Sequence, residues 1–196
     1  AGPRQAPTAD TAPAIPVDPR ARPSFDPIAA LDEATRAADP SFAVRVAVAK
    51  PVVRIGVDTI SFVITSAHAG YVHLVYFDPG HTQLTLLFPN QIDGKNRIEA
   101  GASMQLPRRS WEMTSDGPPG NGEFLTIVSE APRTFTAAGA VPAGPLQSIT
   151  LAEAARRYAM HVGGQPLLAG APSCAPSSPD CSTRYGAARF SITEAR

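Results

Sequence analysis

Tyr71-Val72-His73-Leu74-Val75-Tyr76-Phe77, then Asp78-Pro79-Gly80, then Gln83-Leu84-Thr85-Leu86-Leu87-Phe88 and Pro89-Asn90, is the stretch whose reading decides the fold. Two apolar runs of strand length, rich in β-branched and aromatic residues, flank a turn in which proline fixes φ and glycine accepts a positive φ. Pro89 offers no N–H, so the second run must stop pairing there, and Asn90 can hydrogen-bond the turn backbone. Leu87 and Phe88 are expected to alternate between the core and the opposite face. Tyr71, His73, Val75 and Phe77 share one face of the first strand. Core packing is the ordinary use of such a face, whereas an edge strand would offer it to a partner strand.

Strand signals continue on both sides. Upstream, Ser66–Gly70 reads as a turn, and Ile60, Phe62 and Ile64 alternate with Ser61, Val63 and Thr65. Before them come Val52–Ile55, ending at Gly56, and the alternating Phe42, Val44, Val46 and Val48. Downstream, Asp93–Asn96 is a turn, Arg97–Glu99 and Ser103–Leu106 are short strands, and Asp116–Gly122 is an exposed loop. Glu123–Ser129 reads as a buried strand and Tyr185–Ile192 as a final one. Two segments are helical instead. Over about 26–38, Asp26 can cap, Pro27 suits the first helical position, and Ile28, Leu31 and Ala34 share a face. Over about 150–162, Thr150 and Glu153 form a capping box before the stripe Leu151, Ala154, Ala155, Tyr158 and Val162, which Gly163-Gly164 ends. The fold expected is mainly β (α+β): an antiparallel β-sandwich or partly open barrel with two peripheral helices, in one domain over 25–196.

Residues 1–24 carry six prolines among Ala, Thr and Asp, so a disordered Pro/Ala-rich tether to a membrane anchor is expected, with a processing remnant as the alternative. The chain starts Ala1-Gly2-Pro3 without Met, which suggests a processed or truncated chain. With 17 basic and 17 acidic residues among 196, the net charge is zero. That argues against nucleic acid and against a polybasic membrane-surface role.

Cys174 and Cys181 bracket six residues rich in Pro and Ser, a loop easily closed by a disulfide. Free thiols and a metal site are the alternatives. His68, His73, His81 and His161 are too scattered to complete a metal set, and no cofactor is expected. A disulfide would place the domain in an oxidising compartment. No Gly-x-Ser-x-Gly elbow, phosphate-cradling loop or His-Glu-x-x-His occurs. Glu112, Asp116, Glu123 and Glu130 read as solvated carboxylates. No catalytic residue is assigned. Arg108-Arg109-Ser110-Trp111 sets two guanidinium groups beside the single tryptophan, a combination suited to an acidic or glycan partner. Alternatively Trp111 starts a strand and fills the core while Arg108 and Arg109 face water.

An ordered series of motifs resembles the domain of unknown function family 4384. It runs from Gly70-Tyr71 through Leu86-Leu87-Phe88-Pro89-Asn90, Asn96-Arg97-Ile98, Gly101, Leu106-Pro107, Gly117-Pro118-Pro119-Gly120, Glu123-Phe124 and Ile127-Val128-Ser129 to Pro132. The cysteine pair and the ending Tyr185-Gly186-Ala187-Ala188-x-Phe190-x-Ile192-x-Glu194 resemble one branch of that family. That branch comprises the extracytoplasmic C-terminal regions of bacterial membrane-spanning serine/threonine kinases and related exported proteins, often accompanying type VI secretion systems. The resemblance spans about residues 26–196 and implies a β-rich periplasmic sensing or docking module. Tyr71, Phe88, Pro89 and Asn90 are then motif residues with a structural role.

The expected function is a non-catalytic periplasmic interaction or sensor module, accessory to a type VI secretion system. Its partner would be a secretion-complex subunit or peptidoglycan. A ligand-sensing domain of a membrane-spanning kinase is the alternative from another class. A cell-wall hydrolase is a third reading, for which no nucleophile, metal set or carboxylate pair presents itself.

Overall fold

The computed structural model describes residues 24–196 apart from 79, 81 and 176–180. The expected tether, save Ser24, therefore lies outside the described residues, as do Pro79 of the central turn and His81. Along the chain the first elements are α1 (Pro27–Arg36), β1 (Arg45–Val48), β2 (Val52–Arg54), β3 (Phe62–Thr65), β4 (Gly70–Phe77), β5 (Gln83–Phe88), β6 (Arg97–Ile98) and β7 (Ser103–Leu106). They are followed by β8 (Gly120–Ser129), β9 (Arg133–Thr134), β10 (Val141–Ala143), β11 (Leu146–Thr150), α2 (Leu151–Met160), β12 (Ala171–Pro172) and β13 (Tyr185–Ala195).

The large sheet runs β10-β11-β5-β4-β8-β13-β2, with β6 on the first residues of β4, and β1-β3-β7 form a second sheet. Residues of β3 and β7 (Phe62, Ile64, Met104, Leu106) bury against Val72, Leu74, Phe124, Val128 and Ile192 of the large sheet. That is the expected sandwich, and the sheets do not close into a barrel. Phe62, Phe124 and Phe190 stack at its centre with ring centroids 4.9–6.1 Å apart. The helices form a third layer on the other face, where Leu31, Ala34 and Ala154 pack onto Val75, Phe77, Leu84, Leu125 and Ile127. The large sheet is thus covered on both sides. That is why β4 and β8 read as nearly continuous apolar runs rather than clean alternations.

Local chemistry accounts for the ends. Asp26 caps α1 by accepting from the Ile28 and Ala29 amides at 2.8 and 3.3 Å, and Thr150 Oγ1 caps α2 by accepting from Glu153 N at 3.2 Å. The capping box is not reciprocal: the Glu153 carboxylate turns to Arg156 and Arg157, which draws its pKa down to about 2.

Several expectations need correction. Phe42 belongs to no strand. It closes a 3-10 turn over Pro40–Phe42 that Asp39 caps, and it is fully buried in the sandwich core. Helix α2 ends at Met160, so Val162 lies beyond its stripe and is 80% exposed. Strand β8 starts at Gly120, taking in the last three residues of the expected loop. The hairpin β10–β11 and the small pair β9–β12 carry weak patterns that gave no strand signal. Strand β2 pairs with β13 in parallel, the one departure from antiparallel order among the described strands. Finally, Leu74 pairs with Phe88 but Val75 with Leu86, so Leu87 is an extra residue in β5. This bulge reverses the side-chain phase. Leu87 and Phe88 both pack toward the sandwich side rather than dividing between faces.

Candidate functional site

At one end of the sandwich, two strands of the large sheet and the loop after Trp111 carry polar groups that converge. Tyr76 lies on β4, opposite Phe124 of β8, while Glu194 lies on β13, opposite Gly120 of β8. One strand, β8, separates them, yet the Tyr76 hydroxyl donates to Glu194 Oε1 at 2.8 Å. The side chains meet across β8 at Gly122. A Cβ there would stand 2.7 Å from Tyr76 Cε2 and 2.9 Å from Glu194 Oε1, closer than any real contact tolerates. The second carboxylate oxygen, Oε2, accepts from Ser115 Oγ, itself buried in the segment that follows Trp111.

Glu194 is only 4% exposed. Its described partners are two hydroxyls and no cation. Tyr76 stays firmly protonated, because burial and then its bond to Glu194 raise the phenol pKa far above the usual range. The group borders a cavity of about 310 Å³. Ile60, Leu87, Met113 and Phe124 form its apolar walls, and exposed Asp116 stands at its rim. An apolar recess with a few convergent polar groups is the ordinary form of a small-ligand site, and this volume lies at the lower end of the range. Its polar atoms are fixed by one another. Among the described lining residues there is no histidine, lysine or arginine.

The residues singled out in the sequence lie elsewhere. Arg108 is committed to Asp93, with Nε at 2.7 Å and Nη2 on the other oxygen, and its guanidinium lies 5.3 Å over the Phe88 ring. Trp111 starts no strand. It is half-buried in a loop, and its indole donates to the same Asp93 at 3.2 Å. Arg108 holds the Asp93 carboxyl below the usual range. These groups pin the turn after β5, and of the pair only Arg109 is left exposed toward solvent.

Asn90 completes that turn. Its Nδ2 donates to Leu87 O at 2.8 Å, and its Oδ1 accepts from the Ile92 and Asp93 amides at 2.9 and 2.8 Å. The Phe88–Pro89 peptide is cis. Tyr71 is half-buried, with Arg97 5.5 Å over its ring.

Cys174 and Cys181 form a disulfide with a Cα–Cα distance of 5.7 Å. Of the carboxylates expected to be solvated, Glu123 instead pairs with Arg189 at 2.9 Å, and Glu130 with Arg184 at 2.5 Å. Among the described residues no three His, Cys, Asp or Glu side chains are grouped to hold a metal ion.

Tyr76, Ser115, Gly122 and Glu194 escaped the reading of the sequence as a site. The available signal was the ending of β13. Alternation puts Phe190, Ile192 and Glu194 on one face, so a carboxylate continues an apolar stripe.

Residues 52–132 match the family model for the domain of unknown function DUF4384. The match is narrower than the span of the resemblance. It covers β2 through β8, and with them Tyr76, Ser115 and Gly122, but not the cysteine pair or Glu194. No curated protein and no solved structure matches the chain.

Proposed function

We propose that this domain is a non-catalytic recognition module working outside the cytoplasm, an accessory or regulatory component of a type VI secretion system. It engages a subunit of the secretion complex or the cell wall. The observation that carries recognition is the recess closed by Tyr76, Ser115 and Glu194. It presents hydrogen-bonding groups locked to one another on a rigid two-sided scaffold. The disulfide supports an oxidising compartment. The secretion context rests on the resemblance of the cysteine pair and the Tyr185–Glu194 ending.

The same recess favours a second reading, a ligand-sensing domain controlling a membrane-spanning serine/threonine kinase, because a sensor needs a site of small-molecule size. The test is capture of partners from a periplasmic extract, with purified sacculi as a parallel bait, alongside secretion in a strain lacking the gene. Retention of an envelope partner and impaired secretion are expected. Normal secretion with no captured partner refutes the proposal. Soluble fragments released from sacculi would replace it with a hydrolase.

A further inference from the structure

Resting on the reading of the recess as a recognition site, we propose that it takes a protonated primary amine on an alkyl stem. Glu194 carries the argument. It is a carboxylate on the apolar face of β13, 96% removed from solvent, with hydroxyl donors on both oxygens and no described cation. A buried carboxylate left without a counter-charge is costly, and a cation entering beside it recovers that cost. Asp116 adds a second negative group at the mouth, and no described basic side chain lines the cavity to oppose it.

The geometry selects among cations. A guanidinium binds a carboxylate through two parallel N–H donors, which would displace both Tyr76 and Ser115 from Glu194. An ammonium is a compact centre with three donors in different directions. It fits the lone pairs that Tyr76 and Ser115 leave free on Glu194, with Asp116 as a further acceptor. The walls of Ile60, Leu87, Met113 and Phe124 suit a methylene stem. About 310 Å³ admits a group of side-chain size, not a whole peptide.

The experiment titrates the isotope-labelled chain with N-acetyl-lysine amide, its Nε-acetylated form, N-acetyl-norleucine amide and pentane-1,5-diamine, reading amide shifts by NMR. Saturable shifts at Tyr76, Ser115 and Gly122 are expected with the lysine derivative, weakened at least about tenfold by Nε-acetylation or in norleucine. Binding of the diamine as well assigns recognition to the ammonium and stem alone. Binding of the lysine derivative only assigns it to a peptide-borne amine. Glu194→Gln should lose the affinity at least about tenfold, and Asp116→Asn, at an exposed position, should weaken it with the fold intact. If Glu194→Gln fails to fold, the four ligands on the natural chain still decide. Norleucine binding as well as lysine, or shifts away from the recess, overturns the inference. A chain that ignores all amines yet captures an envelope partner overturns this inference alone. One that binds amines but captures nothing keeps the site and removes the docking role.

Discussion

Gly122→Ala is the sharpest test of how the recess is built. The added Cβ would lie 2.7 Å from Tyr76 Cε2 and 2.9 Å from Glu194 Oε1, so one of the two must move. If the ring holds its place against Phe124, whose centroid is 4.7 Å away, the strand is overpacked at a cost of about 1–3 kcal/mol. If the ring swings aside, its bond to the carboxylate is lost, worth about 1.5–3 kcal/mol for a charged acceptor. Both routes exceed the ~0.4–1 kcal/mol that replacing glycine gains through the unfolded chain. Gly120, two residues earlier on the same face of β8, is the internal control, since a Cβ there meets nothing within 4 Å. Urea unfolding should therefore show Gly120→Ala unchanged or slightly stabilised, and Gly122→Ala destabilised by about 1–2 kcal/mol, equivalent to roughly 2–8 °C in Tm. In a Tyr76→Val background the cost of Gly122→Ala should fall by about half or more, because the contact that creates it is gone. Equal stability of the two alanine variants would refute the account of the glycine as the gap through which Tyr76 and Glu194 meet.

Reduction of the disulfide, or the double change Cys174→Ser and Cys181→Ser, should cost about 2.5 kcal/mol from loop entropy alone, seen as a lower urea midpoint with the fold retained. His73 is buried between Phe135 and the charge of Arg133, and burial first, then that charge, lowers its pKa to about 4. The unfolded chain takes up the proton near 6.5, so this contribution is complete above 6.5 and is lost as pH falls toward 4, by about 3 kcal/mol at most. His73→Leu should flatten the pH dependence of the urea midpoint in that window. Arg133 is 8% exposed and spans Gln165 Oε1 and the carbonyls of Ala169, Gly170 and Thr183 at 2.7–3.1 Å. Arg133→Met strands those acceptors and should cost about 3 kcal/mol by thermal unfolding. Arg133→Lys should recover less than half, because one ammonium cannot reach partners spread around a planar fork.

What the sequence disclosed follows from how far each signal is local. Strands β3, β4, β5 and β7 and the starts of both helices were legible because alternation, turn chemistry and capping act within a few residues. Asp26 and Thr150 cap where the spacing put them. The third layer was not legible, because a strand covered on both faces loses the alternation that would report either face, as in β4. The bulge at Leu87 is likewise set by the partner strand. The hairpin β10–β11 hides in Val141-Pro142-Ala143, whose residues are all exposed. Pro142 suits such an edge, where a missing N–H costs no ladder bond and blocks further pairing. The site was the least visible part. Tyr76, Ser115 and Glu194 are up to 118 residues apart, and each taken alone reads as an ordinary strand or loop residue.

The three layers also restrict where recognition can occur. Both broad faces of the large sheet are taken, one by β1-β3-β7 and one by the helices, and the edge at β10 carries a proline. Neither sheet face is free to dock a partner, and that edge resists strand addition. The arginines beside Trp111, which would have made a surface platform, are divided: Arg108 is bound to Asp93 and only Arg109 remains. The recess lies instead at the end of the sandwich, where the Tyr76–Glu194 bridge lines it. There the sheet supplies rigidity, Gly122 supplies the approach, and the carboxylate supplies a charge that nothing described within the chain neutralises. On the proposal made above, a ligand bearing the opposite charge supplies that missing counter-charge.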